Sequence, residues 1–552
     1  MKKILKSISG WLLKDDRKVY LEFFALALLI FSPILKPGFV FALDLVFAPN
    51  LKMPAWFAND FVIRSFFSLL NIILPSSVIE KLLLFSIVIL SGVGMYKLVQ
   101  TKSEWPKYFA GIFYIFNPFF YERLVNGQIF LLLGYALFPW AMKTAIIFFS
   151  SPNFKQSLKV GLWLGLLALV NFHTIFFFGL FLLIYFLAVI IKNPKANFYL
   201  AKFFLLIIFI ALLVNSFWLA PFFLQKNTYF NQANSIIGDG DLEIFKSQAD
   251  PKFGLALNIA ALYGFWGEGR GSYMDLKAIQ PFWFEISMII FAVAVIGTAV
   301  YFKKRENRDL GIALVALCIL SFFISISTNF KFLHPFFQNI FFRIFRDPQK
   351  FVSFLALAYA FFGAWALDYF LLKIKKSFYV NLIVIIFLAL PLFNSFILFS
   401  GLKGQFFSVE YPASWNEINE ILNRDKDDFK TLFFPWHSYM SFNFVKNKLI
   451  TNPAQCPTNC FFDKLIIVSN DIEVSGVGSL IIDPSSVFIQ EQILTKRNQI
   501  SDLGRLIKPY GIKYIILAEE VDYEDYKFLE KQEDLKMIYN KDRLRLYLNL
   551  VW

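Results

Sequence analysis

The sequence predicts a mainly α, polytopic membrane protein, with about 11 transmembrane helices followed by a C-terminal extracytoplasmic α/β domain. Three observations predict it: apolar stretches recur between residues 19 and 399, every alternate loop between them is basic, and the chain turns to mixed charge after residue 400. Of its 552 residues, 57% are hydrophobic, 19% aromatic and only 17% charged, more apolar surface than a water-soluble chain of this size carries. The net charge of +14 falls mostly in short loops, which points to membrane orientation and not to nucleic acid.

Taken in order, the expected spans are 19–36, 79–98, 105–121, 128–149, 158–172, 174–191, 200–222, 282–302, 310–328, 351–372 and 379–399. Each approaches the roughly 20 apolar residues a helix needs to cross a bilayer, allowing for tilt. Lys2, Lys3, Lys6, Lys14, Arg17 and Lys18 precede the first span and place the N-terminus in the cytoplasm of a plasma-membrane protein. Lys97, Lys102 and Lys107 mark the next inner loop, followed by Lys155 with Lys159 and by Lys192, Lys195 and Lys202. The last two carry Lys303, Lys304, Arg305 and Arg308, then Lys373, Lys375 and Lys376. The run 158–191 is too long for one crossing and has lysines at both ends, so it divides into two spans hinged near Asn171-Phe172-His173. Residues 55–75, with Asp60 and Arg64 four apart and only a short apolar stretch, read as an interfacial amphipathic helix. No small-residue processing site follows the first span, which is expected to be retained. An odd number of crossings puts loops 37–78, 121–127, 223–281 and 329–350 on the outer face together with residues 401–552. The chemistry is therefore expected outside the cytoplasm.

Residues 1–400 thus form a membrane domain and residues 401–552 a soluble one. In the latter, Thr431–Phe434, Lys513–Leu517 and Leu544–Leu548 read as strands, and Ala413–Asn423 and Tyr523–Gln532 as helices. Gly476-Val477-Gly478 lacks the spacing of a phosphate loop, so the domain reads as a lid or partner-binding module without catalysis of its own. Cys456 and Cys460 lie close together on the oxidising side, where a short-loop disulfide is expected. A zinc site would need two further ligands, and His173, His334 and His437 offer no spaced pair.

Among residues able to carry chemistry, Asp44 is the sole acid between the first span and Asp60, set in the apolar Phe41–Phe47. A carboxylate there needs a cation, a metal or a task; it is either a general base toward an acceptor hydroxyl or an exposed loop acid. Glu122-Arg123 follows Asn117-Pro118, with Asn126-Gly127-Gln128 next; this run suits an interfacial anchor or a lipid-phosphate pocket. His173 beside Asn171 reads as a hydrogen-bonded hinge or a substrate contact. Arg343, Arg346 and Lys350 break the positive-inside pattern immediately before a span. Arg346 and Lys350, four apart, would share a face if the helix begins that early and would grip a phosphate, the arginine bidentately and the lysine as a point charge. Pro348 suits the first helical turn. In the loop 223–281, Asp239 and Asp241 form an Asp-x-Asp able to hold a divalent cation such as Mg or Mn, or simply a solvated turn, while Glu268 and Arg270 beside Trp266 and Tyr263 suit a sugar site.

Taken together, the acid in the first outer loop, the amphipathic helix after it, the many further spans and the outer α/β domain resemble the GT-C superfamily of membrane glycosyltransferases. The phrases Phe116-Asn117-Pro118-Phe119-Phe120-Tyr121-Glu122-Arg123, Phe345-Arg346-Asp347-Pro348-Gln349-Lys350-Phe351 and Lys508-Pro509-Tyr510-Gly511-Ile512-Lys513-Tyr514 are similar to those of its YfhO-type and arabinofuranosyltransferase-like branches. The resemblance implies inverting transfer of a sugar from a polyprenyl-phosphate donor to a glycan, lipid or protein acceptor at the outer membrane face. Asp44 would be the base, and Arg346 and Lys350 with Arg123 would neutralise the leaving phosphate. Leu43-Asp44-Leu45 departs from the family in lacking a second nearby acid, which puts a metal requirement in doubt. Two other classes stay open: a lipid-linked-sugar flippase, although the span interiors are almost free of charge and show no repeat, and a non-catalytic envelope-assembly scaffold.

Overall fold

In lipid, a helix satisfies its own backbone hydrogen bonds, so long apolar runs have one stable outcome. The computed structural model describes residues 15–53, 60–192, 197–224, 239–304, 307–338, 345–437, 440–445, 461–469 and 484–552. Among the described residues, 9 helices are long and apolar enough to cross a membrane: Arg17–Leu35, Ser76–Leu98, Ile129–Ser150, Phe172–Lys192, Phe198–Pro221, Trp283–Lys303, Arg308–Asn329, Pro348–Lys373 and Ser377–Asn394.

The two other expected crossings differ for local reasons. The helix Phe154–Val170 has 17 residues and stops at Asn171, whose extended backbone makes the anticipated hinge. The run 105–121 is not continuous: Glu104–Ile115 ends, and Pro118–Val125 begins after a break at Phe116-Asn117. Asn117 explains the break. Its Nδ2 donates to the carbonyls of Phe113 and Tyr114, and its Oδ1 accepts from the Phe120 N–H at 3.0 Å, closing one helix and capping the next. Pro118, which has no N–H to lose, occupies the first turn. The expected amphipathic helix is Phe61–Asn71, which buries Ser65, Phe67 and Ser68 while Val62, Phe66 and Leu69 stay exposed.

The chain divides into two compact units. The first comprises Met1–Ser32, Leu83–Leu124 and Gln128–Lys403, and the second Pro33–Leu82, Val125–Gly127 and Gly404–Trp552. In the first, Val352–Lys373 is buried on every side from Val352 to Asp368, as befits a helix apolar all round. It packs against Trp283–Lys303 at Gly297, where a Cβ would lie 1.7 Å from the Phe362 carbonyl oxygen. Only glycine permits that approach.

The second unit is built on a five-stranded sheet: β1 (Lys430–Phe434), β2 (Leu465–Ile467), β3 (Ile512–Ala518), β4 (Leu535–Lys541) and β5 (Leu544–Asn549), in the order β2-β1-β3-β5-β4. The β2, β1 and β3 strands are parallel, and β3, β5 and β4 antiparallel. Three of these strands are legible in the sequence. The other two are edges: β2 has three residues, and β4 is largely exposed and polar. One sheet face packs Trp415, Ile418 and Leu422 of the helix Ala413–Arg424, together with Ala48 from the first loop. The other packs Leu503 and Ile507, with Tyr526 and Leu529 of the 3-10 segment Tyr523–Lys531. Pro33–Leu82 thus groups with the C-terminal sheet and not with the helical unit, and Ala48 of its loop is buried in the sheet's core.

Candidate functional site

The first unit gathers the charges around Arg123, on the short helix Pro118–Val125 that Asn117 and Pro118 start. Its side chain is fully buried. Arg123 Nη1 and Nη2 donate to the two Asp347 oxygens at 2.6 and 3.1 Å, a bidentate pair. Nη1 also donates to Gln128 Oε1 at 2.8 Å, and Nη2 to Gln349 Oε1. The guanidinium lies over the rings of Phe265, 4.5 Å from its centroid, and Phe119, at 5.5 Å. Burial alone would raise the Asp347 carboxyl, but Arg123 and then Lys350 hold it below its ordinary range. Asp347 precedes a 3-10 turn, Pro348–Phe351, yet its side chain makes no capping bond: the carboxylate is committed to Arg123.

Lys350 follows in that turn. Its Nζ lies 3.2 Å from His173 Nε2 and 3.9 Å from Asp347 Oδ2. His173 Nδ1 is 3.2 Å from Asn171 Oδ1, which can only accept, so Nδ1 carries the proton and Nε2 accepts from the lysine. The hinge residue Asn171 therefore sets the tautomer. Arg346 lies before the helix, not in it, with its guanidinium 4.9 Å from the Phe245 ring centroid. The shared helical face expected of Arg346 and Lys350 is absent, because Pro348 starts the helix after Arg346.

Beside Arg123, Glu122 is buried, and Gln349 Nε2 approaches its Oε2 at 3.4 Å. Burial, then the nearby Glu268 carboxylate, push Glu122 well above the ordinary carboxylate range. Glu268 is also raised by burial, against the pull of Lys277. It accepts from the Gly264 N–H at 2.9 Å and from Asn258 Nδ2 at 3.2 Å, and pairs with Lys277. Lys277 also meets Asp250 at 3.1 Å and lies over the rings of Tyr263 and Trp283. Arg270 is exposed, stacks on Trp266 and donates to the Ile244 carbonyl. Glu268 and Arg270 thus face different partners.

Sequence reasoning missed Asp347, Gln349 and Lys277. Lys277, the sole lysine between Lys252 and Lys303, was the available signal, since a buried cation needs acids around it. Cys456 and Cys460, Arg343, and the side chains of Asp239 and Asp241 lie outside the described residues. Among the described residues, no group of three or more His, Cys, Asp or Glu side chains is placed to hold a metal ion.

Asp44 belongs to the second unit. It is exposed at the tip of a loop whose Phe41, Ala42 and Leu45 are buried. The Ala42 N–H donates to the Leu45 carbonyl at 3.0 Å, making the tip, and the Asp44 N–H donates to the Asn126 carbonyl at 3.1 Å. Gly127 adjoins it with φ +72°, and a Cβ there would lie 2.2 Å from the Leu45 nitrogen.

No protein-family model matches the chain, and no curated protein does. Solved structures do. The mycobacterial arabinofuranosyltransferase AftD superposes with a TM-score of 0.63 at 14% identity, over 97% of this chain and 40% of that one. The oligosaccharyltransferase AglB from Archaeoglobus fulgidus, solved with an inhibitory peptide and a dolichol-phosphate, gives 0.52 at 11% identity, over 98% of this chain and 75% of that one. This chain therefore spans well under half the length of AftD. The chain shares the fold of these two structures, polytopic and mainly helical with a small C-terminal sheet.

Proposed function

We propose that this protein is a membrane glycosyltransferase that moves a sugar from a polyprenyl-phosphate donor to a glycan, lipid or protein acceptor at the outer face of the plasma membrane. The N-terminus is then cytoplasmic and the second unit extracytoplasmic. The fold it shares with AftD and AglB supports the class, and the dolichol-phosphate held by AglB supports a lipid-linked donor. Lys350 carries the reading: at this outer span end its ammonium is directed by a neutral imidazole at 3.2 Å, nearer than the carboxylate at 3.9 Å. An ammonium, a compact point charge, suits an arriving phosphate, with Arg346 as the second cation.

In the reaction, the acceptor oxygen attacks the anomeric carbon from the face opposite the phosphate, the carbon–oxygen bond to phosphate breaks, and the configuration inverts. Asp44 takes the acceptor proton. Lys350 and Arg346 stabilise the charge that builds on the leaving phosphate. Arg123, whose terminal nitrogens are engaged by Asp347, Gln128 and Gln349, acts by holding Asp347 and Gln349 beside Lys350. Glu122, whose carboxyl burial holds well above the ordinary range, fits a hydroxyl-binding role, and Glu268 is held by Lys277 beside it.

Purified protein in lipid, offered labelled polyprenyl-phosphate sugars and membrane-extract acceptors, tests the proposal. Wild-type transfer that falls about 100-fold in Lys350→Ala, with folding intact, is expected. Donor binding without any transfer would instead favour a flippase or scaffold.

A further inference from the structure

The loop 33–53 forms no strand and, past the 3-10 turn Ser32–Leu35, no helix, yet much of it is buried, so its order must come from elsewhere. The residues that supply it are distant in sequence and lie in the same compact unit. Phe39 and Val409 exchange two backbone hydrogen bonds, at 2.7 and 2.8 Å, in an isolated antiparallel bridge. Ser408 Oγ donates to the carbonyls of Ile34 and Lys36 at 3.0 and 2.8 Å. Tyr411 does the most. Its hydroxyl donates to the Phe47 carbonyl at 2.8 Å, and its ring meets Phe39 and Phe41 edge-on, each at 5.3 Å. Phe444 closes on Phe41 from the same side at 5.6 Å. From the helix below, fully buried Glu80 accepts the Val40 N–H at 3.0 Å, and Ser76 Oγ donates to the Ala48 carbonyl at 2.5 Å.

These contacts fall on both sides of Asp44 and leave its side chain exposed. We infer that Ser408–Tyr411 and Phe444 form a clamp that presents the Asp44 carboxylate, and that Tyr411 is a positioning residue for sugar transfer; the second part rests on the reading of Asp44 as the base. The physical reason is that a general base must meet the acceptor hydroxyl within hydrogen-bond reach, and an error near 1 Å costs up to about 100-fold in rate. A loop tip without secondary structure cannot hold that tolerance alone. Tyr411 bonds one flank of the tip and packs on the other, so one side chain sets both ends of the segment Phe39–Phe47.

The full-length protein in lipid nanodiscs tests this with Tyr411→Phe, which keeps the ring and removes the hydroxyl, beside Asp44→Asn and the double variant. Transfer kinetics and amide deuterium uptake over residues 39–48 are read together. Tyr411→Phe is expected to lower kcat by roughly 10-fold with donor KM unchanged, and to speed exchange at the Ala42 and Asp44 amides. The double variant is expected to retain the residual rate of Asp44→Asn with no further loss, since Tyr411 acts through Asp44. Equal losses from Tyr411→Phe in both backgrounds overturn the positioning role. Wild-type exchange in Tyr411→Phe overturns the clamp itself. If Asp44→Asn transfers normally, the base assignment fails and the positioning role with it, while faster loop exchange in Tyr411→Phe would still uphold the clamp.

Discussion

Arg123 in the helical unit and Asp44 in the sheet unit are both charged residues beside apolar sequence, and the protein holds them in opposite ways. Arg123 is fully buried and has its terminal nitrogens matched by Asp347, Gln128 and Gln349. Asp44 is exposed, at a loop tip whose backbone is fixed by hydrogen bonds. The difference separates two jobs. A fully buried charge such as Arg123 must be compensated as the protein folds, so it is poorly placed to await a substrate. A charge at a supported loop tip costs folding little and keeps its chemistry.

The sharpest way to break this comparison is Arg123→Ala. Leaving Asp347 buried without its partner is expected to destabilise the first unit by about 3–5 kcal/mol, read as a lower unfolding temperature in detergent. A combined Arg123→Met and Asp347→Leu replacement should recover much of that loss. Recovery of stability without recovery of transfer would show that the pair also serves the reaction.

Asp44→Asn should do the reverse. Unfolding is expected to match the wild type, while transfer falls by about 100- to 10,000-fold. A variant that is instead unstable would place Asp44 with the structural charges.

His173 lies between these extremes. His173→Gln preserves an acceptor for Lys350 and is expected to keep transfer within a few-fold, whereas His173→Ala should raise the donor KM by roughly 10-fold. An unchanged donor KM in His173→Ala would remove His173 from the donor site.

The smallest expected effect belongs to Glu520, at the end of β3. Its Oε2 accepts the Asn443 N–H at 2.9 Å, and burial pushes its carboxyl from 4.5 up to about 7. The folded form thus binds this proton more tightly than the unfolded one, so its contribution to stability declines as pH rises from about 4.5 to about 7 and is level above. Glu520→Gln should flatten that part of the pH–stability curve, measured by unfolding of the second unit.

Local chemistry determined much of this protein from the sequence by itself. Apolar length decided the helices, Asn171 the hinge, Asn117-Pro118 the start of the helix bearing Glu122 and Arg123, and short apolar runs the strands β1, β3 and β5. Each depends on neighbours within a few positions. Tertiary structure alone decided the pairings. Asp347 stands next to Arg346 in sequence yet pairs with Arg123, 224 residues away, because a buried guanidinium demands a bidentate acceptor. The boundary after residue 400 marks where apolar length ends, but Pro33–Leu82 groups with the C-terminal sheet, Ala48 being buried in its core while Phe39 and Phe41 pack on Tyr411. Hydropathy reports how much surface must leave water, and only the folded chain decides which partner covers it.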